Sequence, residues 1–117
     1  MIADPGPAAP ALGMLRDRVQ IRRRDVADDG AGGAVVTFFP LATVWARVRA
    51  LGSRYGQAAD ARAAVATHSV VLRFRSDIGQ GDRLVFGSRT LEVIGAEDLN
   101  GTRTFLSCTC SETRVTG

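Results

Sequence analysis

Apolar and polar positions alternate along much of this chain, and the alternation breaks at clusters of glycine, aspartate and asparagine. In residues 16–24, Val19 and Ile21 fall on one face of an extended segment, and Arg18, Gln20 and Arg22 fall on the other. That period of two marks a half-buried strand. The run Asp28-Asp29-Gly30-Ala31-Gly32-Gly33 is rich in residues that tolerate positive φ and reads as a turn. Residues 35–39 resume as a strand, which Pro40 ends or marks as an edge. Residues 43–49 alternate again, with Val44, Ala46 and Val48 opposite Trp45, Arg47 and Arg49.

The pattern repeats further on. His68, Val70, Leu72 and Phe74 share one face of an extended segment, and Val71, Arg73 and Arg75 share the other. Gly87-Ser88 has glycine in the first position, as a II′ hairpin requires, and Asn100-Gly101 predicts a I′ hairpin joining residues 91–99 to 102–110. In the last strand Leu106, Cys108 and Cys110 lie opposite Phe105, Ser107 and Thr109. Six or so short strands with turns between them predict a mainly β fold, a small antiparallel β-barrel or sandwich.

Two stretches depart from this pattern. Residues 1–13 hold three of the four prolines and predict a flexible N-terminal arm ahead of one domain over residues 14–117. Gly52-Ser53-Arg54-Tyr55-Gly56 breaks the strand pattern, and residues 57–66 contain six alanines. Alanine favours helix, but about ten residues are marginal alone, so one short helix or mobile loop is expected.

Composition narrows the function classes. A chain of 117 residues suits one domain, and 45% apolar content suits a packed one. No apolar run approaches the roughly 18 residues that span a bilayer. The first residues carry neither a basic start nor an apolar signal core. The expectation is a protein made in the cytoplasm, with no membrane partner. All fifteen basic residues are arginine and the net charge is +3, which permits contact with nucleic acid without requiring it.

The chemistry of a site is sparse. The single histidine, His68, sits within an alternating strand beside apolar residues and reads as structural. Cys108 and Cys110 share one face at i and i+2, a poor placement for a disulfide, and too few other ligands exist for zinc. The turn from Asp77 to Asp82 lacks the ligand count of a calcium loop and reads as aspartates capping a glycine turn. Gly30, Gly32 and Gly33 lie between strands, the wrong context for a phosphate loop. These features predict no catalytic residues, no metal and no cofactor. Arg47 and Arg49, and likewise Arg73 and Arg75, are spaced to share a strand face, a pattern that suits phosphate contact, a solvated face or arginine–carboxylate pairing between subunits.

The wording of several segments carries a resemblance. Arg18-Val19-Gln20-Ile21-Arg22-Arg23 is followed by Asp29-Gly30 and Gly33-Ala34-Val35, then by Ala42-Thr43-Val44-Trp45-Ala46-Arg47-Val48. Later come His68-Ser69-Val70-Val71-Leu72-Arg73-Phe74-Arg75, Asp77-Ile78, and Gly81-Asp82-Arg83-Leu84-Val85-Phe86-Gly87-Ser88-Arg89. In this order and spacing the chain resembles the head–tail joining family of tailed phages, the head-closure or stopper proteins of siphovirus-like particles. Where family members often carry a glutamate after the glycine-serine, this chain has Arg54-Tyr55-Gly56.

The resemblance implies a structural connector subunit in the neck of a phage, a prophage-derived particle or a gene transfer agent, assembled in the bacterial cytoplasm. It implies a homo-oligomeric ring, six- or twelve-fold, with a portal and adaptor ring above and a tail terminator or tail tube below. Such a ring retains double-stranded DNA in its channel and docks the tail. In that setting Arg47, Arg49, Arg73 and Arg75 are candidates for a lumen or intersubunit face. Gly52, Ser53, Arg54, Tyr55 and Gly56 are candidates for an assembly loop. Two other readings stay open: another connector such as an adaptor or tail terminator, and a small monomeric β-barrel that binds nucleic acid.

Overall fold

In a computed structural model, residues 14–52 and 65–113 are described. They form six strands: β1 (Asp17–Asp28), β2 (Ala34–Ala50), β3 (His68–Arg73), β4 (Arg83–Phe86), β5 (Arg89–Asp98) and β6 (Phe105–Thr113). All neighbouring strands are antiparallel, and the order β1-β2-β3-β6-β5-β4 closes on itself through the pairing of β4 with β1. Closure covers most of the edges that an open sheet would present to other chains, leaving β2 before Ala46 and β1 after Arg22 paired on one side only. The expected short helix or loop and the N-terminal arm lie outside the described residues, apart from Leu51, Gly52 and residues 65–67, which have no regular structure.

The inward positions are those the alternation marks. Val19 and Ile21 of β1, Ala46 of β2, Val70 and Leu72 of β3, and Leu84 of β4 are buried together. Leu91 and Val93 of β5, Leu106, Cys108 and Cys110 of β6, and Ile78 from the loop ahead of β4 complete the core. Many of these meet in register: Ile21 faces Leu84, Leu84 faces Leu91, Val93 faces Cys110, Val70 faces Cys108, and Leu72 faces both Ala46 and Leu106. Cross-strand pairs of this kind are the unit of sheet stabilisation. The narrow interior explains the small residues: Ala46, Cys108 and Cys110 sit opposite larger neighbours so that side chains fill the barrel without a pore. Full burial of Leu72 contributes roughly 1.5–3 kcal/mol.

The structure differs from the sequence reading in three places. First, residues 35–39 and 43–49 are one strand, not two. Pro40 does not end it. The register with β1 slips by one between Ile21↔Ala42 and Arg22↔Pro40, which leaves Leu41 as a bulge residue packed against the core. Pro40 lies where β2 is paired on one side only, and there a missing N–H is tolerated.

Second, the turn at Asn100-Gly101 is not a two-residue hairpin. Both residues have the positive φ that a I′ turn needs, 62° and 69°. However, β5 stops at Asp98 and β6 starts at Phe105. The longer loop is closed by the Asp98 carboxylate, which accepts the Arg103 N–H at 2.9 and 3.0 Å and so holds Arg103 at φ 55°. Third, β3 ends at Arg73, so Arg75 lies beyond the strand rather than on its outer face. Gly87, by contrast, is alone in its turn in having positive φ (60°), the one-sided pattern of II′.

Beyond the barrel rim the β1–β2 ladder continues. The last β4 partner of β1 is Arg22, yet β1 and β2 pair for six more rungs, from Arg23↔Phe39 to Asp28↔Ala34. At about 3.3 Å per residue this is a two-stranded ribbon of about 20 Å. Its residues are exposed on both faces, with Phe38 alone half-buried. The tip turn is tied by its own aspartates: Asp28 Oδ1 accepts the Gly30 N–H, and Asp29 Oδ1 accepts those of Ala31 and Gly33.

Candidate assembly surface

Two contacts anchor the ribbon to the barrel. Asp82 is buried at the rim; its Oδ1 accepts the Arg24 N–H at 3.0 Å and its Oδ2 the Gly79 N–H at 3.0 Å. One carboxylate thus covers the β1 backbone just past its pairing with the start of β4 and closes the loop ahead of β4. The second contact is the Arg83 guanidinium, which stacks 3.9 Å from the centre of the Phe38 ring. Of the two aspartates expected to cap the glycine turn, Asp82 does so. Asp77 instead forms a two-pronged pair with Arg75, whose Nε and Nη2 donate to Oδ1 and Oδ2 at 2.9 and 2.8 Å. That hydrogen-bonded pair holds the Asp77 carboxyl below the usual carboxylate range.

The ribbon carries an unusual amount of exposed apolar surface. Val26, Val35, Val36 and Phe39 are each between 44% and 48% exposed. No charged residue occurs from Ala34 to Val44. Isolated two-stranded ribbons are marginal in water, and contiguous exposed apolar surface commonly marks an interaction site. Three aspartates, Asp25, Asp28 and Asp29, sit at or near its tip.

A second surface lies at the other end of the same two strands. Ala46↔Leu72 is the last pair between β2 and β3, and beyond it the two strands part. The gap is a groove of about 760 Å³ lined by Leu15, Val44, Trp45, Leu72 and Phe74, with Arg16, Arg73 and Arg75 at its margin. Trp45 is 51% exposed and is held flat by the Arg18 guanidinium, 4.7 Å from the ring centre.

The predicted arginines divide accordingly. Arg47 and Arg49 point outward from β2 opposite Val71 and Ser69, and Arg73 is exposed at the end of β3, diagonally across from Arg47. These three share one outer face. Arg75 is turned away from them toward Asp77. Gly52 is exposed just after β2, and Ser53, Arg54, Tyr55 and Gly56 lie outside the described residues. The ribbon and the groove were not singled out by sequence reasoning. The signal available was the long uncharged stretch after an acidic turn, too apolar for a solvated strand pair.

The polar interior shows no reactive constellation among the described residues. His68 is buried, with Nδ1 2.9 Å from the Thr67 hydroxyl and Nε2 without a hydrogen-bond partner. Burial pushes the Cys108 thiol up to about 12 and Cys110 further in the same direction, so both stay protonated at neutral pH. Among the described residues no three histidine, cysteine, aspartate or glutamate side chains gather as a metal site requires. No helix among them is long and apolar enough to cross a membrane.

The fold and its surfaces define a class: a closed six-stranded barrel that carries a projecting apolar ribbon and a separate apolar groove. Residues 11–113 match the phage head completion protein family, and the chain belongs to that family. It is a head–tail structural protein of phage-like particles. Among solved structures it is similar to protein SF1141 from Shigella flexneri 2a, at 30% identity and a TM-score of 0.65, over 86% of this chain and 95% of that one. The fold is shared with a chain of the virion of a native gene transfer agent particle, at 21% identity and a TM-score of 0.63, over 85% and 96% of the two chains. No curated protein matches the chain.

Proposed function

We propose that this protein is the stopper, or head-closure, subunit of its particle. Copies form a ring below the portal and adaptor, retain packaged DNA and dock the tail. Family membership over residues 11–113 carries this reading. The exposed apolar ribbon supports it, because a lone barrel has no use for such a surface. In a ring, a charge of +3 per copy is multiplied around one channel, so the shared outer face of Arg47, Arg49 and Arg73 becomes a strong basic band wherever it lines the lumen.

The test is assembly with a purified portal–adaptor complex, followed by imaging. A stoichiometric ring below the adaptor, with loss of DNA retention when the protein is left out of particle maturation, is the expected result. Binding that bypasses the adaptor and caps only tail tubes would assign a terminator role instead.

A further inference from the structure

The two apolar surfaces lie on the same pair of strands but cannot reach each other. The groove is marked by the pair Arg18↔Trp45 and the ribbon tip by Asp28↔Ala34. Ten residues of continuous strand separate them, about 33 Å. Their chemistries are complementary. The tip has Asp25, Asp28 and Asp29 beside exposed Val26, Val35 and Val36. The groove has Arg73 and Arg16 beside Trp45, Val44 and Phe74, and Arg75 next to them is already paired with Asp77. Next to the groove, no described strand pairs with the outer edge of β2 from Ala34 to Trp45, so its backbone is placed to receive an added strand.

We propose that the ribbon tip of one copy docks in the Trp45–Phe74 groove of the next. This rests on the ring reading above and names the contact that builds the ring. The contact is head-to-tail: each copy donates one surface and receives on another. Such interfaces close into rings when the rotation closes, and they do not stop at dimers. Apolar side chains of the tip fill the groove, and the tip aspartates meet Arg73 at its margin. Desolvation at the contact strengthens these charge pairs beyond their value on an open surface.

The test uses two variants of the full chain. Val35→Arg with Val36→Arg spoils the tip on both faces, and Trp45→Glu with Arg73→Glu spoils the groove. All four positions are exposed, so both variants are expected to keep the wild-type circular dichroism spectrum. Wild type, each variant and an equal mixture are sedimented with and without the portal–adaptor complex. Each variant alone should assemble at least tenfold more weakly than wild type. The mixture should give a heterodimer that stops at two, because one sound tip meets one sound groove.

Wild-type emission supplies a second readout. Trp45 is the only tryptophan, and its fluorescence should shift to shorter wavelength on assembly as the tip covers it. Rings formed equally well by both variants overturn the tip–groove contact and leave the stopper reading standing. The same holds for a mixture that stays monomeric, or for unchanged emission in assembled wild type. Wild type that assembles alone but ignores the portal–adaptor complex overturns the stopper reading and leaves the contact. Wild type that never assembles overturns both.

Discussion

A single carboxylate, Asp82, ties the base of the ribbon to the loop ahead of β4. It is buried at the barrel rim and accepts backbone N–H groups from Arg24 on the ribbon and Gly79 in the loop before β4. Asp82→Ala leaves both donors without that acceptor. Arg24 is exposed and Gly79 half-buried, so water reaches both donors and the loss is that of two hydrogen bonds, about 1–3 kcal/mol together in chemical denaturation. Asp77 makes a gentler prediction, through pH. Its pairing with Arg75 lowers the folded carboxyl below its ordinary value of 3.8. The pair therefore stabilises the fold fully above that value, and the contribution is lost as pH falls through the lower folded value. Asp77→Asn should be less stable than wild type at neutral pH, with the two melting curves converging below about pH 4. A difference that persists unchanged to pH 2 would place the effect elsewhere.

At the scale of elements, β1 and β2 each serve two purposes. Their barrel halves bury Val19, Ile21 and Ala46; their outer halves bury almost nothing. Replacing residues 26–36 with Asn-Gly, which suits a two-residue hairpin, should leave a folded barrel whose stability changes by about 1 kcal/mol or less. The same deletion should abolish ring assembly, read by sedimentation. The sequence shows why one half was legible and the other was not. Inward positions such as Val70, Leu72, Cys108 and Cys110 alternate because water and core impose opposite demands. In the ribbon both faces meet solvent in the free chain, so Val35, Val36, Phe38 and Phe39 run together without alternation. Pro40 marks an edge, the second of the two roles its sequence context allowed: a proline ends a strand only where its N–H is needed, and here β2 is paired on one side only. The loop after β5 was misread because the Asp98 carboxylate, five residues from Arg103, outweighs the local preference of Asn100-Gly101.

At the scale of the whole molecule, closure of six strands makes the barrel a rigid block. The described features that look built for partners, the ribbon and the groove, lie on β1 and β2 and the end of β3. The spacing of Arg47 and Arg49 marks them as one strand face, but that Arg73 lies diagonally across from Arg47 follows from the pairing of β2 with β3. The place of Arg75 was not legible either, since the end of β3 and the pull of Asp77 are tertiary facts. The groove was invisible because it arises where β2 and β3 part, a place that no alternation marks.

The ribbon is also a ruler. In the proposed ring, donor tip and receiving groove are joined by a counted length of paired strand, so the separation of neighbouring barrels would be written in residues. Inserting two residues into each strand between Arg22 and Asp28, and opposite them, keeps every side chain on its face and moves the tip outward by about 7 Å. The expected product is a wider ring with more copies, visible in averaged images. A one-residue insertion in each strand flips the faces of the tip and should give no ring.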